Sequence, residues 1–175
     1  MDGVAMLREE FKHQHGILEG TMQDVTAEQA QWSPPGRANP LGASYAHIVL
    51  GEDMMLNGMV RGAPPLFATT WANKTGMSEP PPTPDQGDWD GWARKVKVDL
   101  GALRQYAQAV YQNTDEYLAS LDGNGLAREI DLSAFHLGKQ TVGWFLPNML
   151  VSHVAHHCGE IACLKGIQGA KGYPF

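Results

Sequence analysis

Residues 88–121 read DWDGWARKVKVDLGALRQYAQAVYQNTDEYLASL. Asp88 is a residue type that accepts from the free amides of a first helical turn. Beyond it, Trp92, Val96, Leu100, Leu103, Ala107, Val110, Tyr117 and Leu121 recur at helical spacing and share one face. The pattern predicts a single amphipathic helix of about nine turns whose apolar stripe needs partners to cover it.

Working toward the N-terminus, Arg61 to Gly87 is rich in proline, including Pro80-Pro81-Pro82, and has no sustained period, so it reads as a long loop. Before it, Asn39-Pro40 marks the start of a helix from about Pro40 to Val60: Asn supplies a capping acceptor, and Pro has no amide to lose in the first turn. Ser33-Pro34-Pro35-Gly36 is a break, and Thr26-Ala27-Glu28-Gln29 has capping-box spacing for one short turn. Val4, Leu7, Phe11, Leu18 and Met22 line a helix from about Val4 to Gln23. Toward the C-terminus, Gly123-Asn124-Gly125 stops the long helix, and Arg128 to Trp144 alternates weakly around Gly138-Lys139, as a small hairpin or an irregular connection would. A last helix spans about Thr141 to Lys165, with Pro147 in its first turn or kinking it. The expectation is all-α: one four-helix bundle domain over residues 1–175, antiparallel or crossover, with a long Pro-rich loop between helices two and three.

Composition narrows the function. Hydrophobic residues make up 43% and charged residues 18%, ordinary for a soluble globular chain, and no apolar run approaches membrane-spanning length. Thirteen Lys and Arg against nineteen Asp and Glu give a formal charge of −6, which argues against a nucleic-acid partner. Acids near the start, where a signal peptide needs basic then apolar residues, point to the cytoplasm. Cys158 and Cys163 are five apart on one helix, roughly 140° around its axis, so they cannot pair with each other.

Three of the seven histidines crowd into Ser152-His153-Val154-Ala155-His156-His157-Cys158-Gly159-Glu160. His153 and His157 are four residues apart and can face one point. A third ligand has to come from a facing helix. His47, among apolar neighbours on helix two, is preferred over His13 and His15 on helix one, because an unpaired imidazole there would be costly. His156 is an alternative to His157. Glu160 lies within about 20° of His153's direction and is placed to orient an imidazole from outside the ligand set. Glu52 and Asp53 read as possible acids, or simply as the wet face of helix two. Val154 stands where a metalloprotease motif would have its glutamate.

The segment from His153 to Ile161 resembles the His-x-x-His-His-x-Gly-Gln/Glu-Ile segment of the DinB/YfiT-like superfamily of metal-dependent enzymes. The stretch from Leu164 to Phe175 resembles the tail of one subgroup, and Asn39-Pro40-Leu41 with His47 resembles the family's second helix. The resemblance implies a four-helix bundle, often a homodimer, holding a divalent ion, zinc or nickel, on His47, His153 and His157. Cys158 stands where relatives commonly carry Arg. Characterised relatives include enzymes that use low-molecular-weight thiols.

Three imidazoles leave a coordination position open, the arrangement of a catalytic centre. The reading is a metal-dependent enzyme acting on a small molecule, a hydrolase or thiol S-transferase, with Glu160 as orienter or proton acceptor. Phe67, Trp71 and Met77 of the long loop are candidates to wall its pocket. The alternative is a non-catalytic, stress-associated bundle whose ion is structural. Thiol catalysis through Cys158 is a weaker third reading, since its side chain points away from the histidine pair.

Overall fold

The computed structural model describes residues 2–82 and 87–175. Helix α1 (Gly3–Met22) is capped by Asp2, whose side chain accepts from the Ala5 amide. The short α2 (Ala27–Gln31) carries the expected capping box between Thr26 and Gln29. Helix α3 (Leu41–Asp53) runs on as a wider π-helical stretch, Met54–Arg61, that ends at Gly62 with a left-handed φ of 63°. The remaining helices are α4 (Trp89–Lys95), α5 (Leu100–Ala119), α6 (Gly123–Ala127), α7 (Val142–Phe145) and α8 (Ser152–Ile167), with a π-helical stretch, Leu146–Val151, joining the last two. Pro147 sits at the start of that stretch, where its missing amide and ring are accommodated by the wider turn. Of the two readings for Arg128 to Trp144, the hairpin is what forms: β1 (Glu129–Asp131) pairs antiparallel with β2 (Lys139–Thr141), Ile130 opposite Gln140.

The long helix expected from Asp88 to Leu121 is two helices. Asp88 caps α4 and Asp99 caps α5, accepting from the Gly101 and Ala102 amides. Between them the backbone turns its hydrogen bonds to the long loop. Val98 pairs with Met77 as an isolated antiparallel bridge, the Lys97 amide donates to Ser78 Oγ, and the Asp99 amide donates to the Gly76 carbonyl. Gly76 takes a φ of +78°, and a Cβ there would lie 2.6 Å from the Leu103 amide nitrogen. The loop can approach only through a glycine. Val96 and Val98 are still buried, Val96 as the C-terminal cap of α4 and Val98 in the bridge. Residues 83–86 of the expected Arg61–Gly87 loop lie outside the described residues.

The four principal helices are α1, α3, α5 and α8. The main packing pairs are α3 with α8, α1 with α8, α1 with α5 and α3 with α5. Helices α1 and α3 therefore sit diagonally, as do α5 and α8, so the bundle is of the crossover kind. Helix α3 is buried along nearly its whole circumference and forms the central rod. Its core divides into two clusters, one around Leu18, Tyr45, Ile48, Leu103 and Val154, the other around Phe11, Leu56, Leu118, Phe145 and Leu150.

A polar layer lies between the clusters. Glu52 and Asp53, expected as a wet face or free acids, are 1% and 0% exposed. Glu52 accepts from Thr114 Oγ1 at 2.5 Å and pairs with His15 Nε2 at 2.8 Å. Asp53 accepts from Tyr106 Oη at 2.6 Å, Asn57 Nδ2 at 2.7 Å, and the Leu66 and Phe67 amides at 2.9 and 3.0 Å. Four donors satisfy its oxygens, so burial is tolerated, and two of them fasten the start of the long loop to the bundle.

Candidate metal centre

Helix α3 brings His47, and α8 brings His153 and His157, to one place on the seam where those two helices pack. Their ligand atoms all lie within 4.8 Å of one another. His47 Nε2 and His153 Nε2 are 3.0 Å apart. Two nitrogens bound tetrahedrally to one ion at 2.0–2.1 Å would sit about 3.3 Å apart, so this pair is already at ligand spacing. The rings stand edge to face, with centroids 4.6–4.9 Å apart. Among the described residues this is the one group of three such side chains so placed.

The backbone beneath the cluster is built for it. Gly51 is one helical turn after His47, on the same face of α3. A Cβ there would lie 2.7 Å from His153 Cε1, closer than side-chain carbons approach. The His153 ring thus occupies space that only glycine leaves free.

Protonation also favours metal ligation. Burial holds His47 down at about 4 and His153 at about 3, with the neighbouring imidazoles adding to the effect. Both rings are neutral at physiological pH, the form that ligates a cation. His153 Nδ1 is buried without a hydrogen-bond partner. In His157, Nδ1 is 2.7 Å from Glu160 Oε2. When Nδ1–H donates to that carboxylate, the Nε2 lone pair is left to face the cluster. Glu160 therefore partners His157, not His153. The expectation rested on direction around the axis alone, whereas a glutamate three residues on reaches the nearer ring.

His156 is exposed and outside the cluster, and His13 is exposed on α1. His15 is engaged with Glu52 and stacked on Tyr111 at 3.8 Å. Cys158 is buried against Thr21, and burial pushes its thiol up, away from the reactive thiolate form.

The cluster opens onto a cavity of about 210 Å³ to which His47 and His157 contribute. Its walls come from α4 and the start of α3, where Trp89 stands edge-on to His47 at 4.7 Å and to Trp92 at 5.4 Å. Phe67, Trp71 and Met77 pack against the core and are not among the residues lining this cavity. Asp53's hold on the loop keeps its aromatic residues as anchors.

Asn39 also lines the cavity, and here the structure corrects the expected cap. Pro40, not Asn39, is the residue preceding the first helical position, and no side chain caps α3. The Asn39 Oδ1 is buried and makes no hydrogen bond. Trp89 and Trp92 are three apart on α4, a spacing visible in the sequence, but only the fold places them beside His47. Gly51 did carry a signal: a glycine inside an apolar helix costs about 1 kcal/mol against alanine and marks a close approach.

The sequence profile of the DinB superfamily matches residues 10–161. No curated protein matches the chain. Among solved structures, the chain is similar to the crystal structure of a conserved protein from Enterococcus faecalis. The TM-score is 0.80 at 20% identity, covering 97% of this chain and 99% of that one. That likeness is one of fold.

Proposed function

We propose that this chain, which belongs to the DinB superfamily, holds a divalent metal ion on His47, His153 and His157 and acts on a small molecule, by hydrolysis or by transfer to a low-molecular-weight thiol. The observation that carries this reading is the convergence of three imidazoles, two of them held neutral by burial, beside a cavity. A clamp needed only for stability would close its coordination shell with protein groups. Three nitrogens with a cavity alongside leave room for an exogenous ligand, so the structural-ion alternative is disfavoured.

The chain's residues divide the work. His47 and His153 present Nε2 atoms from two helices, and Gly51 sets their separation. Glu160 takes the Nδ1 proton of His157 in a hydrogen bond, fixing the tautomer and the ring plane. Trp89 and Trp92 exclude water from one side and give an apolar wall. A divalent ion held there supplies Lewis acidity toward an oxygen or sulfur of the substrate. All-imidazole ligation suits zinc or nickel, as well as copper or iron.

The test joins elemental analysis to activity. Purified protein is assayed for metal, then screened for ester hydrolysis and thiol transfer alongside His153→Ala. The expected result is about one equivalent of metal per chain and an activity lost on chelation and in the variant. Activity that survives complete removal of metal overturns the proposal.

A further inference from the structure

We infer that the cavity beside the three histidines takes a small substrate bearing a carboxylate, which Arg37 and Arg94 receive at the cavity's rim while the reacting atom meets the histidine cluster. This rests on the reading of that cluster as the metal centre and adds the class of substrate and two residues that select it.

The break between α4 and α5 sets up the arrangement. Because the chain leaves the helix at Lys97 to Asp99, α4 is a separate rod, and its Trp89, Asp90, Trp92 and Ala93 form one wall of the cavity that holds His47 and His157. Both arginines belong to the edge of that wall. Arg94 follows Ala93 directly and lies one turn beyond Asp90, on the same face of α4. Arg37 stands two residues before Asn39, which also lines the cavity. Hydrogen bonds tie the two together: Arg94 Nη2 donates to the Arg37 carbonyl at 3.1 Å, and Arg37 Nη2 donates to Asp90 Oδ2 at 3.2 Å.

The charges on this edge do not balance. Among the described residues, Asp90 is the one carboxylate paired with either guanidinium, and the hydrogen bond of Arg94 is to an uncharged carbonyl. A guanidinium presents several N–H donors in a rigid fork, so each arginine keeps donors for another acceptor. Asp90 already shows the kind of group they suit, a carboxylate seated against Arg37. Arg37 is 91% exposed and Arg94 is exposed, so neither is committed to the core. The carboxylates lining the cavity are Asp90 and Glu160. A divalent ion and two arginines together outweigh them, and the field draws an anion inward. Between the cluster and the rim, Trp89 and Trp92 suit an apolar or aromatic body. Size sets the last limit, since about 210 Å³ falls below the roughly 300 Å³ at which drug-sized sites begin.

The test uses a rigid pair of equal size, 4-mercaptobenzoate and 4-mercaptobenzamide, titrated into zinc-loaded protein. Binding is read from the indole N–H resonances of Trp89 and Trp92. The para position keeps the carboxylate from chelating the zinc that holds the sulfur. The carboxylate is expected to bind about tenfold more tightly than the amide, and the gap to narrow as salt rises from about 50 to 300 mM. Arg37→Gln and Arg94→Gln each lower carboxylate affinity about threefold and leave the amide's unchanged. Asp90→Asn, which removes a competing carboxylate, raises carboxylate affinity about threefold. All three positions are exposed, so the variants are expected to fold. Equal binding of carboxylate and amide, carboxylate affinity unchanged in both arginine variants, an equal loss for the amide, or weaker carboxylate binding in Asp90→Asn overturns the inference. Benzoate and benzamide titrated into metal-free protein separate the two readings. A chain that takes up no zinc defeats the metal centre, while the arginine-dependent loss of benzoate binding still stands or falls by itself.

Discussion

Gly51→Ala isolates the cluster's geometry from the stability of the bundle. The added Cβ would lie 2.7 Å from His153 Cε1, 3.3 Å from Nδ1 and 3.4 Å from Nε2. Relief to an ordinary contact distance of 3.4 Å or more moves the ring by about 0.7 Å. Metal–ligand distances hold to about ±0.2 Å, so the displacement exceeds what a bound ion tolerates. Helix propensity works in the opposite direction, since alanine is about 1 kcal/mol better than glycine inside a helix. Overpacking costs typically 1–3 kcal/mol, so the net loss of stability is expected between about 0 and 2 kcal/mol, leaving the variant folded. Zinc affinity should fall at least about tenfold, as one of three ligands is pushed out of line. Competition against a chromogenic chelator measures affinity, and urea unfolding of the metal-free protein measures stability. A folded variant with unchanged zinc affinity would refute the reasoning, because the His153 ring could not then be a ligand seated over residue 51.

Glu160→Ala should weaken zinc binding by about 10- to 100-fold, with Glu160→Gln recovering part of it because the amide oxygen still accepts from His157 Nδ1; equal affinity in all three proteins removes Glu160 from the site. The metal-free protein should lose stability in mild acid. Its His47 and His153 titrate near 4 and 3, while an unfolded histidine titrates near 6.5. Between those values the unfolded chain binds protons that the folded chain refuses, so stability is full above about pH 6.5 and falls by on the order of 3 kcal/mol for each histidine, about 6 kcal/mol for the two, toward pH 4. Thermal melts across that window check it, and the slope should flatten when both residues are changed to Gln. Asp53→Ala leaves Tyr106 Oη, Asn57 Nδ2 and two loop amides without their acceptor and should cost about 3 kcal/mol or more. Hydrogen exchange should then quicken at Leu66 and Phe67; protection unchanged there contradicts the anchoring role.

The helices were legible where burial and capping agreed. Thr26 and Asp88 cap as their side chains allow, and the 3.6-residue period located α1, and α3 with its π-helical continuation, to within a few residues. The reading failed where distant chain supplied the hydrogen bonds. The apolar residues around Val96 kept helical spacing in sequence while Lys97 to Asp99 gave their backbone to Gly76–Ser78, a choice no local pattern records. The histidines were legible for a similar reason. A four-residue spacing is a geometric fact of α8, and the third ligand followed from asking where an unpaired imidazole would be costly. Glu52 and Asp53 were not legible, because adjacent acids usually mark a wet surface. Only the fold shows that His15, Thr114, Tyr106 and two amides surround them. Asn39 is the subtler case: its sequence context specifies a cap, and only the fold shows Pro40 in that place and the Asn39 oxygen buried without a partner.

The central claim is that His47, His153 and His157 bind one cation and leave part of its coordination shell to an exogenous ligand. X-ray absorption at the metal edge of protein loaded with one equivalent of zinc tests it most directly. The expected spectrum shows three imidazole nitrogens at about 2.0–2.1 Å with at least one further light-atom ligand that added thiol replaces by sulfur. A first shell with fewer than three imidazoles, or one that thiol leaves unchanged, would contradict it.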